Sequence, residues 1–277
     1  MAVEPNLVQL GQGVYAFTHP DPRFGHSNVG LVIDHDGLTL IDTTATPAQA
    51  EVTARAVDRL AGELGLPIKR VVVTSSRVAF TGGSGVFWSA AFYGTEVTSS
   101  QLDAPANPPA FRALLPYLAS AYPDDFTTRP ITHTVTERAQ LTGAIALDPL
   151  TGESAGNLVA FVESANVVFA GAFASFGVTP LGHDAYHAEW IAGLRGLASA
   201  GVTVVPGHGP IGGTADLADL IAYLEACRSA TGDGPLPEGP WDRWTDRRFD
   251  PVNIERAQLL AAGRDDPPSS MFTLLGL

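Results

Sequence analysis

The sequence predicts an α/β protein, a sandwich of sheets layered with helices, on three observations. Short apolar runs, several rich in valine, alternate with stretches of helical periodicity. The 277 residues suffice for one large domain with a well-buried core. Hydrophobic residues make up 45% and charged residues 16%, the balance of a compact chain rather than a disordered one.

Strands are expected at 13–18, 28–33, 38–42, 70–74, 93–98, 158–163, 166–170 and 202–206. Ser164 and Ala165 alone separate 158–163 from 166–170, which makes a tight hairpin. One helix has both ends marked: Thr46 and Gln49 can form a capping box, Pro47 suits the first position, and Gly65 closes the end. Val52, Ala56, Leu60 and Leu64 recur at helical spacing and are its expected buried stripe. A second helix spans 188–199, with Trp190, Leu194 and Leu197 on one face, and a third spans 215–230. Residues 101–131, with six prolines, read as a loop with one short helix. Residues 231–254 read as an aromatic, charged excursion before a last helix, with Trp241 and Trp244 either packing it down or touching a ligand. There is no internal repeat.

The net charge of −13 argues against nucleic acid or an anionic membrane as partner. The single cysteine, Cys227, excludes an internal disulfide and a cysteine-rich zinc site, and its apolar neighbours one turn away mark a core thiol. The start, MAVEPNLVQL, lacks a basic segment followed by an apolar run, so no secretory leader is expected and the cytoplasm is the expected location. No apolar run approaches a membrane span. A homodimer is left open.

Five segments carry a pattern beyond periodicity. Residues 28–43 end in Leu40-Ile41-Asp42-Thr43, and a buried strand runs into Thr74 and then Gly82-Gly83. Gly152 to Asn157 form a Gly-rich turn, Val168-Phe-Ala-Gly-Ala172 a strand end, and Val204-Val-Pro-Gly-His208-Gly a second strand end. In this order they resemble the metallo-β-lactamase superfamily. The resemblance implies a four-layer αββα sandwich, one domain over 1–277 with a lid at 101–131 and a C-terminal excursion at 231–277. It also implies that Asp42 braces the metal loop without holding metal. The metal positions of the family fall on Ser75, Arg77, Ala79, Phe80, Glu153, Ala172 and His208. Six of the seven have changed. Alanine and phenylalanine cannot ligate zinc, and arginine brings a fixed cation to a cation site, so no metal and no other cofactor is expected.

His208 follows a buried strand and reads either as a general base near neutral pH or as a structural histidine bonded to Asp42 or the loop backbone. Glu153 reads as a carboxylate base or as the ion-pair partner of Arg77, which would orient a substrate or stabilise developing charge. Ser75 and Ser76 stand where a nucleophile or substrate contact would, with no base assigned to either. His183, Asp184, Tyr186 and His187 form a polar group between two core elements, with His183 and Tyr186 as substrate contacts. The i, i+4 pair His183 and His187 would suit zinc only in a helix. His26 reads as a substrate contact or loop packing, and His19, His35 and His133 as surface residues. The favoured function is a metal-independent enzyme that hydrolyses, eliminates or cyclises a small organic substrate, in the setting of a specialised biosynthesis. The alternative is a non-catalytic relative that binds a small molecule or a protein. A metal site rebuilt from Glu153, His183 and His208 is the third reading.

Overall fold

The computed structural model describes residues 3–232 and 234–277, so expectations touching Met1, Ala2 and Asp233 fall outside the described residues. The first half runs β1 (Asn6–Gly11), β2 (Val14–Thr18), β3 (Val29–Asp34), β4 (Gly37–Ile41), α1 (Pro47–Ala61), β5 (Ile68–Val72) and α2 (Val78–Thr81). It continues with β6 (Ala91–Thr95), α3 (Glu96–Asp103), α4 (Pro108–Leu114) and β7 (His133–Val135). These strands form one seven-stranded sheet in sequential order. The second half runs β8 (Ala139–Gln140), β9 (Ala146–Leu150), β10 (Asn157–Val162), β11 (Val167–Ser175), α5 (His187–Ala200) and β12 (Thr203–His208). A five-stranded sheet results, in the order β12-β11-β10-β9-β8. Helices α6 (Thr214–Ser229), α7 (Asp250–Ala261) and α8 (Ser269–Leu275) complete the chain.

Alternation along the strands assigns the layers. In β10, Leu158, Ala160 and Val162 face Val14, Val32, Ile41 and Val72 of the other sheet, which makes the core between the sheets. The intervening Val159 faces outward against Trp190, Leu194, Leu217 and Leu224 of α5 and α6. On the opposite outer face, Leu31, Leu40 and Val71 pack against Ala50, Val57 and Ala61 of α1. The order is helix, sheet, sheet, helix, as the sequence predicts.

Several local expectations need correction. The strand expected at 93–98 ends at Thr95, whose side chain accepts from the Thr98 amide and starts α3 instead. The α1 stripe is displaced: Ala50, Val52, Thr53, Val57 and Ala61 are buried, while Leu64 is exposed past the helix end. Thr46 does cap α1, and Gly65 takes the left-handed conformation after a short 3-10 turn. Cys227 is buried, with its thiol pushed up to about 12 by burial, as a core thiol should be. Trp241 and Trp244 pack on Tyr223, so the excursion is pinned to α6. No helix among the described residues is long and apolar enough to cross a membrane.

Residues 101–131 do not stand off the body as an open lid. Leu114, Leu115, Tyr122 and Phe126 share an apolar cluster with Phe24, Val78, Phe249 and Met271. The Tyr122 hydroxyl donates to the Ala45 carbonyl at 3.0 Å, and Tyr117 donates to the Phe24 carbonyl. The segment is a packed plug over the ends of the central strands.

Candidate functional site

The loop after β5 is set by Asp42, which sits at φ 66° past β4. Its carboxylate accepts from the Thr74 amide at 2.8 Å and the Thr74 hydroxyl at 2.7 Å. Burial raises the Asp42 carboxyl to about 7, against the pull of those two hydrogen bonds. Thr74 Oγ1 in turn accepts from the Ala172 amide at 3.3 Å, which ties this loop to β11. A side chain at Gly171 would meet Thr74 Oγ1 at 2.1 Å, so only glycine lets β11 approach so closely. Asp42 is a brace, as expected.

Arg77 is the hub of the polar region. Its Nε donates to Glu153 Oε1 at 2.9 Å, one terminal nitrogen pairs with Asp184, and the other lies 3.1 Å from His183 Nε2. Glu153 Oε2 accepts from Asn157 Nδ2 at 3.2 Å. The ion pair expected between Arg77 and Glu153 is therefore formed, with Asp184 as a second carboxylate. Burial pushes the Glu153 carboxyl up while Arg77 pulls it down, and the net direction is upward. For Asp184 the order reverses: burial pushes up, but Arg77 and His183 outweigh it and the carboxyl ends below its usual range. His183 is lowered to about 4 by burial and by Arg77, so it is neutral at pH 7 and its Nε2 accepts a hydrogen bond from the guanidinium.

Beside this network Ala79, Phe80 and Ala172 form an apolar cluster. The Phe80 ring lies so close to Gly207 that a methyl group there would meet it at 2.7 Å. His208 is 4% exposed, stacked on Phe24 at 5.4 Å and edge-on to Phe80 at 5.2 Å. Its Nε2 accepts from the Gly25 amide at 3.3 Å, not from Asp42. Burial, with a smaller contribution from His26, lowers its pKa to about 3. The near-neutral titration expected of His208 is not what its surroundings allow, because aromatic rings replace the water that would solvate an imidazolium.

The other sequence candidates disperse. Ser75 is buried with its hydroxyl 3.4 Å from the Arg77 amide, and Ser76 donates to Gln101 at 2.5 Å. His26 holds Asp21 O through Nδ1 at 2.8 Å and stacks on His19 at 3.7 Å, so His19 is half-buried rather than a free surface residue. Tyr186 and His187 open α5 and line a groove against α6 and α7, apart from Arg77. Five surface pockets of about 330–830 Å³ are lined by other residues, and none of these five by Arg77, Glu153 or His208.

The residues at the metal positions do not fit a metal. Arg77 supplies only donors, Phe80 and Ala172 supply no lone pair, and both Glu153 and His183 are engaged by the guanidinium. Glu153, His183 and His208 therefore make no rebuilt ligand set. Among the described residues the one group with metal-ligand spacing is Asp34, His35 and Asp36, at the β3–β4 turn. Sequence reasoning missed the pairing of Asp184 with Arg77, the bond from Asn157 to Glu153, and the covering of His208 by Phe24. No local signal announces these contacts between segments far apart in the chain.

No protein-family model matches the chain, and no curated protein matches it. Solved structures do. The DIM-1 metallo-β-lactamase superposes with a TM-score of 0.60 at 21% identity, covering 80% of this chain and 97% of that one. FIM-1 from Pseudomonas aeruginosa, in its mono-zinc form, gives 0.60 at 20%, covering 80% and 95%. A metallo-β-lactamase from Erythrobacter litoralis, with β-mercaptoethanol in its active site, gives 0.59 at 20%, covering 79% and 95%. The chain has the metallo-β-lactamase fold, the scaffold of these hydrolases.

Proposed function

We propose that this chain, a metallo-β-lactamase fold whose metal positions are filled, is a non-catalytic relative that works by binding a small molecule. One observation carries the reading: the Arg77 guanidinium, where the sequence resemblance implies a metal ligand, is bonded to Glu153, Asp184 and His183. A cation fixed by its own carboxylates neutralises the site from within and leaves no open position for a metal-bound water. Phe80 and Ala172 fill the neighbouring volume, and His208 is sealed behind Phe24 and the 101–131 plug. The reading is tested with the purified protein on a β-lactam, a thioester and an activated ester, each with zinc and with a chelator. Turnover above buffer that the Arg77→Met variant lacks would overturn it.

A second reading rests on a different observation. Burial pushes the Glu153 carboxyl upward, and the adjoining Asp184 side chain is 36% exposed, so a buried carboxyl group lies beside a solvent-facing one. This is the metal-independent enzyme, with Glu153 as acid and Arg77 as the orienting cation. Turnover that survives chelation and disappears in Glu153→Gln selects it.

A further inference from the structure

The groove at the start of α5 has the makings of a ligand site lined by none of Arg77, Glu153 and His208. Its walls come from the first turn of α5, the last turn of α6 and the C-terminal end of α7, around a volume of about 680 Å³, within the range of small-molecule pockets. Three features meet there. His187 is 2% exposed, and neither ring nitrogen has a hydrogen-bond partner. Such an orphan is rare in a folded protein, and one in a pocket wall points to a partner supplied by the pocket's occupant. Helix α5 begins at His187 and its N-cap residue Tyr186 gives no side-chain cap, so the first-turn amides of the groove residues 187–189 are offered no acceptor by a cap residue. Arg228, at the end of α6, makes no ion pair among the described residues, while nearby Glu225 is held by Arg195.

All three lack the same thing. Uncapped amides at a helix N-terminus, an imidazole N–H and a guanidinium each call for an anionic oxygen acceptor. The rest of the wall is apolar, with Leu260 and Ala261 from α7. We infer that this groove binds a small organic carboxylate with an apolar body, its carboxylate at the start of α5 between His187 and Arg228 and its body along α7. The acidic side chains Glu189 and Glu225 in the same wall disfavour a polyanion and limit the ligand to one negative charge. Glu189 also has no ion-pair partner among the described residues, and an ammonium group on the ligand would meet it. The carboxylate is the shared chemistry of a fatty acid and an apolar amino acid.

The test is a titration of the full chain with hexanoate, followed by calorimetry and by the amide resonances of residues 187–189. L-leucine, hexanol and hexylamine are run in parallel. The expected result is saturable binding of hexanoate or leucine that shifts those amides, with affinity at least tenfold weaker in Arg228→Gln and no binding of hexanol. Leucine binding more tightly than hexanoate, with the gain lost in Glu189→Gln, identifies the zwitterion as the preferred form. His187→Phe removes both ring nitrogens; should it fail to fold, Arg228→Gln, at an exposed helix end, still decides. Unmoved amides at millimolar hexanoate and leucine, equal affinity in Arg228→Gln, or equal binding of hexanol would each overturn the inference. The site stands apart from the proposed function: turnover at Arg77 would refute that proposal and leave this one intact.

Discussion

Arg77 Nε and Glu153 Oε1 lie 2.9 Å apart, and both side chains are largely withdrawn from water. A buried pair of this kind is strongly dependent on both members. Removing one leaves the other charge without compensation, which costs about 3–5 kcal/mol, whereas an apolar replacement of both is often neutral. Glu153→Ala should therefore lower the melting temperature by roughly 10 °C, and the double variant Arg77→Met, Glu153→Leu should recover much of that loss. Thermal unfolding followed by circular dichroism decides. An unchanged midpoint in Glu153→Ala would show that Asp184 alone compensates Arg77.

Zinc should not stabilise the protein. A ligand present at a hundred times its dissociation constant adds about 2.7 kcal/mol to the folded state, which a melting curve resolves easily. With Arg77, Ala79, Phe80 and Ala172 at the metal positions, added zinc and added chelator should leave the midpoint unmoved. A rise that saturates at one zinc per chain would refute this and direct attention to Asp34, His35 and Asp36.

Phe80 is buried beside Ala172 in the volume next to Arg77. Truncation to alanine should cost about 3–5 kcal/mol through lost contacts and a residual cavity. Ala172→Asp should also destabilise, because its charge would be buried against Phe80 without a compensating partner. A variant with Ala172→Asp as stable as the parent would mean that the cluster is looser than it stands here.

Stability should rise with pH between about 4 and 6.5. His19, His183 and His187 are lowered to about 4 and His208 to about 3, so each binds its proton in the unfolded chain but not in the folded one across that window. Unfolding then takes up protons, and acid favours it. Asp42, raised to about 7, and Glu153, also raised, act the other way: they keep protons in the folded state that the unfolded chain releases. His26 is lowered by burial as well, so five groups oppose two; the slope is positive below pH 6.5 and turns weakly negative as Asp42 ionises near 7. Denaturant midpoints at pH 4.5, 5.5, 6.5 and 7.5 check the sign, and a profile falling from 4.5 to 6.5 would contradict it.

The parts of this fold legible in the sequence are those where backbone crowding dictates a residue. A methyl group at Gly82 would sit 1.8 Å from the Ala45 carbonyl, and one at Gly83 would sit 2.2 Å from the Thr43 carbonyl. Those positions require glycine because the end of α2 packs directly on the loop after β4, whatever chemistry the loop carries, and so they reveal the scaffold. The valine-rich strands and the capped start of α1 are legible for equally local reasons. The covering of His208 is not. Its Pro-Gly-His-Gly turn fixes where the ring starts, but the ring is buried by Phe24, and Phe24 by Phe249 and Leu115, from three distant segments. The displaced α1 stripe has a related cause: two stripes of similar apolarity share that helix, and only the sheet it meets selects between them.

The state of His208 decides whether it can take any acid–base role. Stacked on Phe24, edge-on to Phe80 and accepting from the Gly25 amide, its ring should stay neutral throughout pH 5–8, with flat nitrogen and carbon shifts in an NMR titration. His208→Gln should accordingly leave any turnover unchanged, while loss of the ring packing lowers stability by about 1–3 kcal/mol. A His208 that protonates with a midpoint near 6.5 would mean that the 101–131 plug opens on the timescale of the titration. Water would then reach the ring, and an acid–base role in catalysis would follow from the same geometry that now excludes it.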